Sequence, residues 1–301
     1  MSIIKISGSE GNYTFDPEIS FLREGKFSTT FVGVDDNECK VLIKQLHSNS
    51  DIHELEHRIH HPVFAEYSDS CIFNNTSFLI RPFIEGKSLW ELSKSGLIRK
   101  KEHRPLLINI VRQLGDALNT LHEDGIIHGD IRPHNILIEF NQGVLTSDAA
   151  IKIIDPAMMR RVGEAPKHPG FALLYSPPEI VLKQYLLVGP ASDQYSFAIT
   201  MYELLSGVPP FKHMNPELLT HLMLVQPLKE ISGISSSTLN VLKKGSARYP
   251  FSAPPKNLED SVISMQLQKA IDERYSSVKE FSDELIIALK EKKSFFSFFK
   301  S

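Results

Sequence analysis

The first 80 residues alternate between short runs of β-branched or aromatic residues and polar turns. Such runs predict strands, because these side chains suit the faces of a pleated sheet. The predicted strands are Ile3 to Ile6, Phe27 to Val34, Lys40 to Gln45, Ser70 to Phe73 and Ser77 to Ile80. Apolar residues at helical spacing predict one short helix from Asp51 to His60, which Pro62 ends. The pattern therefore predicts a small antiparallel sheet with one helix.

The pattern changes after Arg104, where apolar residues recur every three or four positions. Pro105 to Glu123 is predicted to form an amphipathic helix of about five turns. Further helices are predicted from Ala191 to Ser206 and from Ser277 to Lys290. Gln226 to Leu258 is rich in Ser, Pro and Gly, which predicts a loop-like insertion. The expected fold class is α+β.

Pro82 and Gly86 interrupt the chain between the strand-rich and the helix-rich parts. We expect a small N-terminal lobe at residues 1–81, a hinge and a large helical lobe at 82–292, and a tail at 293–301. The tail places Phe residues next to Lys residues. This mixture suits weak docking to a membrane surface or a partner protein, or packing back onto the large lobe.

Composition narrows the classes of function. The 301 residues are 42% hydrophobic and 23% charged, as in ordinary globular proteins. A net charge of -3 gives no electrostatic case for nucleic-acid binding. Two cysteines are too few for a disulfide framework, and neither a signal peptide nor an apolar run of membrane-spanning length is present. We therefore expect a cytoplasmic protein.

The most specific chemical signal is the segment His128 to Ile138, in which Asp130 and Asn135 are five residues apart between a predicted helix and a strand. Asp155 ends a later β-branched strand. Carboxylate and amide oxygens of this kind are ligands for hard cations. An earlier strand ends in Lys44, whose apolar neighbours imply an anionic partner such as phosphate.

With these motifs in this order, the chain resembles the protein kinase family, specifically its Ser/Thr kinase-like members, over roughly residues 20 to 290. The resemblance implies a bilobal fold, with a small antiparallel-sheet lobe and a larger helical lobe. It also implies ATP and Mg²⁺ as cofactors and a protein substrate. Lys44 would hold nucleotide phosphates, Asp130 would accept the substrate hydroxyl proton, and Asn135 and Asp155 would hold Mg²⁺.

The resemblance extends to further positions. It assigns nucleotide contacts to Gly25, Thr30, Leu42, Ile84 and Leu137, in addition to Lys44, Asn135 and Asp155. By the same analogy, Glu179 should form a buried ion pair with Arg274 in the large lobe.

The glycine-rich loop departs from the family pattern, because only Gly25 remains of three glycines. Leu42 stands where a smaller Ala usually leaves room for adenine. An intruding isobutyl group would cost roughly 1–3 kcal/mol and weaken ATP binding about tenfold to hundredfold. Asp155-Pro156-Ala157 replaces the usual Asp-Phe-Gly, which keeps the metal ligand but restricts the backbone.

Arg81 falls at or beside the position behind the adenine, where the family usually has an apolar residue. A buried guanidinium requires a carboxylate, so we expect Arg81 to compete with Lys44 for Asp51, Glu54 or Glu56, with Glu54 as the partner of Lys44. The alternative is a register shift of one residue, which would leave Arg81 at the surface.

The catalytic loop also lacks the Arg that receives an activation-loop phosphate in many kinases, because Gly129 stands there. Between Asp155 and Glu179 the only hydroxyls are those of Tyr175 and Ser176. A phosphate switch needs both an acceptor and a cationic receiver. We therefore predict no activation by phosphorylation in this segment.

Three functions remain open. The polar residues favour an ATP- and magnesium-dependent protein kinase acting on Ser/Thr hydroxyls. A pseudokinase that binds a partner protein, gated by nucleotide or independent of it, is favoured by the degenerate glycine-rich loop, by Leu42 and Arg81, and by the Asp155-Pro156-Ala157 motif. A small-molecule phosphotransferase shares a similar catalytic loop, but Glu179, Asp193 and Arg274 are typical of the protein-kinase large lobe.

Overall fold

The computed structural model describes residues 3–25, 28–47, 61–140, 143–156, 158–166, 171–232, 234–249, 251 and 254–291. The chain divides into two compact units, Met1–Glu85 and Gly86–Ser301. Each unit has buried apolar residues of its own. Across the described ranges, no helix is both long and apolar enough to cross a lipid bilayer.

The first unit contains a seven-stranded antiparallel sheet. Its strands are β1 (Ile4–Ser7), β2 (Asn12–Phe15), β3 (Phe21–Glu24), β4 (Ser28–Asp35), β5 (Lys40–Leu46), β6 (Asp69–Phe73) and β7 (Thr76–Pro82). They lie in the order β1-β2-β4-β5-β7-β6, and β3 pairs with β4. The strands predicted from the sequence are confirmed to within about two residues at each end, as expected for boundaries.

Alternate residues of these strands build the core of the first unit on one face of the sheet. Phe31 in β4, Ile43 in β5 and Ile80 in β7 lie opposite one another in register and are buried. Phe15 packs on Phe31 with ring centroids 4.9 Å apart. β2 and β3 are not among the predicted strands, because each has only four residues and neither contains Val or Ile.

Two of the sequence predictions fall outside the described residues. The predicted helix from Asp51 to His60 is one, and it includes the candidate carboxylates Glu54 and Glu56. The predicted tail at 293–301 is the other.

The second unit is mainly helical. Its described α-helices are α1 (Leu89–Ser95), α2 (Arg104–Glu123), α3 (Pro178–Val181), α4 (Pro190–Ser206), α5 (Pro216–Val225), α6 (Ser236–Gly245), α7 (Asp260–Asp272) and α8 (Val278–Lys290). Its short strands are β8 (Gly86–Ser88), β9 (Ile126–Ile127), β10 (Ile136–Glu139), β11 (Ile151–Ile153) and β12 (Arg160–Arg161). They form two small sheets, in which β10 lies between β8 and β11, and β9 pairs with β12.

The three long helices predicted from the sequence are confirmed as α2, α4 and α8. α2 buries one apolar stripe, whereas α4 is buried on nearly all sides over residues 192–204. Ser277 caps α8, because its side chain accepts a hydrogen bond from the Glu280 N–H at 3.0 Å. These helices form the frame on which the loops of the second unit are held.

The predicted loop-like insertion from Gln226 to Leu258 is wrong, because it contains α6. Ser235 is the N-cap, and its side chain accepts the Thr238 N–H at 3.1 Å. Leu239 and Leu242 then bury one face of the helix. The serines that suggested a loop mark the beginning of a helix.

Candidate active site

Strands β10 and β11 bring two of the predicted site residues to neighbouring strand ends. Asn135 precedes β10 and Asp155 follows β11, and these strands pair with Ile136 opposite Ile153. The pairing continues one residue further, because the Ile154 N–H donates to the Asn135 carbonyl at 2.8 Å. The β-branched residues on both sides thus hold the two polar residues at one end of a small sheet.

Asp130 is held in the same loop by two neighbours. The Asn135 Nδ2 donates to the Asp130 Oδ2 at 2.6 Å and to the Asp130 carbonyl at 3.0 Å. The Arg132 Nε lies 3.1 Å from the same Oδ2. Burial raises the pKa of Asp130 to about 6; Arg132 opposes this rise, and the charge of Asp155 adds to it. Such a carboxyl is mostly ionised at neutral pH and is a stronger base than an exposed aspartate.

The residues around Asn135 fit a magnesium ion. Its side chain is fully buried, and its Oδ1 has no hydrogen-bond partner among the described atoms. Since the Nδ2 is already engaged, the Oδ1 is available as an oxygen ligand. Asp155 supplies a carboxylate, with its backbone in the left-handed region at φ 66°. Mg²⁺ usually takes one or two such protein ligands and completes its shell with phosphates and water.

Asp193, in the first turn of α4, fixes the backbone of the loop. Its carboxylate accepts the His128 N–H at 2.7 Å and the Gly129 N–H at 2.8 Å. The His122 Nε2 lies 3.0 Å from the same carboxylate. Burial by itself would raise the pKa of Asp193, but the hydrogen bond and charge of His122, the charge of His128 and the Gly129 N–H bring it below its ordinary value. The two residues before Asp130 are therefore anchored to the most buried helix of the unit.

In the first unit, several predicted site residues share the face of the sheet opposite to the core. Thr30 lies opposite Lys44, and Leu42 lies opposite Arg81. Because side chains alternate along a strand, all four project from the same face. They are between 4% and 8% exposed. The Lys44 Nζ is 6.0 Å from the centroid of the Tyr67 ring.

The remaining predicted nucleotide contacts are placed individually. The Gly25 N–H donates to the Ser28 carbonyl at 2.8 Å, at the beginning of β4. Ile84 is half-buried just after β7, and Leu137 is half-buried in β10 opposite Lys152. The structure thus groups Asp130, Asn135 and Asp155 in the second unit, and their roles stay predictions.

The ion pair predicted for the large lobe is confirmed. The Arg274 Nη1 lies 2.8 Å from the Glu179 Oε1, and the Nη2 donates to the Oε2 at 3.1 Å. Both side chains are fully buried. Ser192 donates to the same carboxylate at 2.8 Å, and the Ala191 carbonyl accepts from Arg274 at 2.9 Å. The pair therefore ties α3 to the beginning of α4 and to the segment before α8.

A comparison with protein families agrees with this geometry. The model of the protein kinase domain matches residues 18–286, which is most of the chain. The chain belongs to the protein kinase family.

Curated relatives of this kinase domain include proteins of a fungus and of bacteria. The chain is 32% identical over 161 residues to protein kinase kin1 of Schizosaccharomyces pombe, covering 52% of this chain and 17% of the relative. It is 26% identical over 235 residues to serine/threonine-protein kinase pkn2 of Myxococcus xanthus, covering 71% of this chain and 28% of the relative. A probable serine/threonine-protein kinase of Clostridium acetobutylicum is 31% identical over 148 residues, covering 47% of this chain and 20% of the relative. The chain thus spans less than a third of the length of each of these relatives.

In this kinase domain, the guanidinium of Arg160 occupies the space beside Gly129. Gly129 has a φ of 75°, and a Cβ there would lie 2.8 Å from the Arg160 Nη1 and from the Met158 carbonyl. Arg160 lies in β12, is 4% exposed and donates to the Met158 carbonyl at 3.0 Å. An arginine in place of Gly129 would therefore meet both backbone strain and the Arg160 guanidinium.

The structure also decides between the two interpretations of Arg81. This side chain is 4% exposed, so the alternative that a register shift leaves it at the surface is wrong. Its Nη1 donates to the Pro82 carbonyl at 3.0 Å. The carboxylates expected to pair with it fall in the segment outside the described residues.

Three residues that hold the loop were not predicted from the sequence in that role: Arg132, Asp193 and Arg160. Arg132 has a local signal, because it lies two residues after Asp130 on a short loop. Asp193 was recognised only as a family landmark, and its contact with His128 spans 65 residues. The contact of Arg160 with Gly129 depends on the pairing of β9 with β12.

Proposed function

We propose that this domain transfers the γ-phosphoryl group of ATP to serine or threonine hydroxyls of proteins, with Mg²⁺ as the cofactor. The observation that carries the proposal is the Asp130 carboxylate, which is 12% exposed and held by the Asn135 Nδ2 and the Arg132 Nε. Its pKa of about 6 suits a base at neutral pH. The names of relatives such as pkn2 support Ser and Thr as acceptors.

In the proposed reaction, Asp130 orients the attacking hydroxyl and takes up its proton. The new bond forms between the hydroxyl oxygen and the γ-phosphorus, and the bond from that phosphorus to the ADP oxygen breaks. The Asn135 amide and Arg132 hold the carboxylate in its charged form before the reaction. Asp193 holds the loop rigid, so the base is positioned without further reorganisation.

Bound Mg²⁺ neutralises charge on the phosphate oxygens in reactions of this type. We assign its protein ligands to the unpartnered Asn135 Oδ1 and to Asp155. Lys44 is assigned to the nucleotide phosphates, and Gly25, Thr30, Leu42, Ile84 and Leu137 to the nucleotide, on the basis of the family resemblance alone.

A nucleotide-binding measurement tests this assignment. Thermal unfolding of the wild type should shift upward with ATP and Mg²⁺ together, by about 2.7 kcal/mol of added stability at a ligand concentration one hundred times Kd. Asp155→Asn should lose most of the part of this stabilisation that depends on Mg²⁺. Asp124→Asn, an exposed residue at the end of α2, is the matched control and should behave as the wild type. No shift in any condition would refute the enzyme proposal.

A pseudokinase that acts as an interaction scaffold is the second candidate. It is supported by Leu42 and Arg81, a bulky and a charged side chain that lie opposite each other on neighbouring strands and are both buried. We place either activity in the cytoplasm, because the two cysteines, Cys39 and Cys71, are free.

A further inference from the structure

A groove with a volume of about 590 Å³ lies in the second unit, at the ends of helices α5 and α6. We call it the basic groove. It is lined by residues 224–228, 243–244, 246–248 and Glu273. This volume is typical of a site that accepts a small ligand or a few side chains of a peptide. None of these residues belongs to the candidate active site.

Three cations line the groove, and Glu273 is the carboxylate among its lining residues. Lys243 and Lys244 lie in the last turn of α6 and are exposed. The Arg248 Nη1 donates to the Met223 carbonyl at 2.8 Å. Considering only the part of the chain that the structure describes, no ion pair within 4 Å engages any of the three. The groove therefore keeps its attraction for an incoming anion.

Aromatic rings orient two of these cations. The Lys244 Nζ lies 4.0 Å from the centroid of the Tyr275 ring, and the Arg248 guanidinium carbon lies 4.7 Å from that of Phe211. Contacts of this kind hold a cation in place. The charge of Lys244 also acts on the Glu280 carboxylate and helps to lower its pKa. Glu273 is the one carboxylate among the lining residues, so the groove carries three positive charges against one negative charge. The chain as a whole has a net charge of -3, so this positive charge is local.

The other wall of the groove is apolar. It is formed by Leu224 and Val225 at the end of α5 and by Pro227 and Leu228 after it. Val225 is 44% exposed, which leaves apolar surface for an incoming side chain. A simple oxyanion would use the cations but would gain nothing from this wall. A peptide with both acidic and apolar side chains would use both.

We propose that the basic groove binds an acidic segment of a partner protein, in which carboxylates flank a large apolar side chain. The carboxylates pair with Lys243, Lys244 and Arg248, and the apolar side chain packs against the exposed Val225 and Pro227. This binding does not depend on phosphoryl transfer, and its failure would leave the proposed kinase activity untouched.

The test uses a fluorescein-labelled peptide of alternating Glu and Leu residues, titrated with the full chain at low salt without nucleotide. Fluorescence anisotropy should give a Kd in the micromolar range, and the double variant Lys243→Glu and Lys244→Glu should weaken binding by at least about tenfold. The matched control is the double variant Lys100→Glu and Lys101→Glu, which reverses two adjacent exposed lysines far from the groove in sequence. It should change Kd less than about twofold. Thermal unfolding of both variants checks that they remain folded.

Two further titrations decide what the groove recognises. Replacing Leu by Ser in the peptide should weaken binding severalfold, because the apolar wall then loses its partner. Inorganic phosphate should not displace the peptide at equal concentration. The proposal is overturned if the wild type does not bind the peptide, or if both double variants weaken binding equally. It is also overturned if the Ser peptide binds as tightly as the Leu peptide, or if inorganic phosphate at equal concentration displaces the Leu peptide.

Discussion

Replacing Asp130 by asparagine should stabilise the domain at neutral pH, even though it removes the proposed base. The side chain is only 12% exposed, and this burial raises its pKa from an ordinary value of 3.8 to about 6. Burial therefore disfavours the charged form, and the folded domain retains a proton that the unfolded chain gives up. Asparagine has nearly the same shape, and its oxygen can still accept from the Asn135 Nδ2. It removes the charge and keeps the hydrogen bond.

The size of the effect follows from the two pKa values. Below pH 3.8 the carboxyl is protonated in both states, and the wild type has no penalty. As the pH rises to 6, the unfolded chain ionises first and the folded state loses stability relative to it, by about 3 kcal/mol in total above pH 6. Between pH 5 and pH 7 the change is about 1 kcal/mol. The advantage of Asp130→Asn over the wild type should grow by this amount in that interval.

Urea unfolding of the wild type and Asp130→Asn at pH 5 and pH 7 measures this difference directly. Asp124→Asn is the control, because this residue is exposed and its substitution should not change the pH dependence. A difference between the wild type and Asp130→Asn that is the same at both pH values would show that Asp130 is not buried as a charge. The reasoning about its pKa would then fail.

Three further predictions concern packing. Glu179→Gln should lower the free energy of unfolding by about 3–5 kcal/mol, because it leaves Arg274 buried without a charge partner. Replacing both residues by apolar ones should recover most of this loss, as measured by urea unfolding. Gly129→Ala should lower Tm through backbone strain and contact with Arg160. The loss of Tm caused by Gly129→Ala should be smaller in the background of Arg160→Gly. A Tm of Gly129→Ala equal to that of the wild type would contradict the geometry at φ 75°. Leu42→Ala should tighten ATP binding about tenfold in calorimetry if the larger side chain overpacks the nucleotide site, and unchanged or weaker binding would contradict that role.

The parts of the site that could be predicted from the sequence are close together along the chain. Asp130 and Asn135 lie on one loop between β9 and β10, so their spacing alone places the amide near the carboxylate. Asp155 could be predicted in the same way, because it comes at the end of the β-branched run that contains β11. The buried pair of Glu179 and Arg274 required the family resemblance, because 95 residues separate its members.

The features that could not be predicted arise from tertiary contacts or from ambiguous composition. Arg160 reaches Gly129 only because β12 pairs with β9, and no local pattern encodes that pairing. The segment that contains α6 was predicted to be a loop because Ser favours both turns and helix N-caps. Only the burial of Leu239 and Leu242 resolves that ambiguity.

The central claim is that Asp130 is the base in phosphoryl transfer to protein hydroxyls. The most direct measurement is the transfer of label from γ-labelled ATP with Mg²⁺ to casein, with wild type, Asp130→Asn and the control Asp124→Asn. We expect label on Ser or Thr with the wild type and the control, and a rate at least about one hundredfold lower for Asp130→Asn. Equal rates for Asp130→Asn and the wild type, or no transfer by a wild type that binds ATP and Mg²⁺, would contradict the claim.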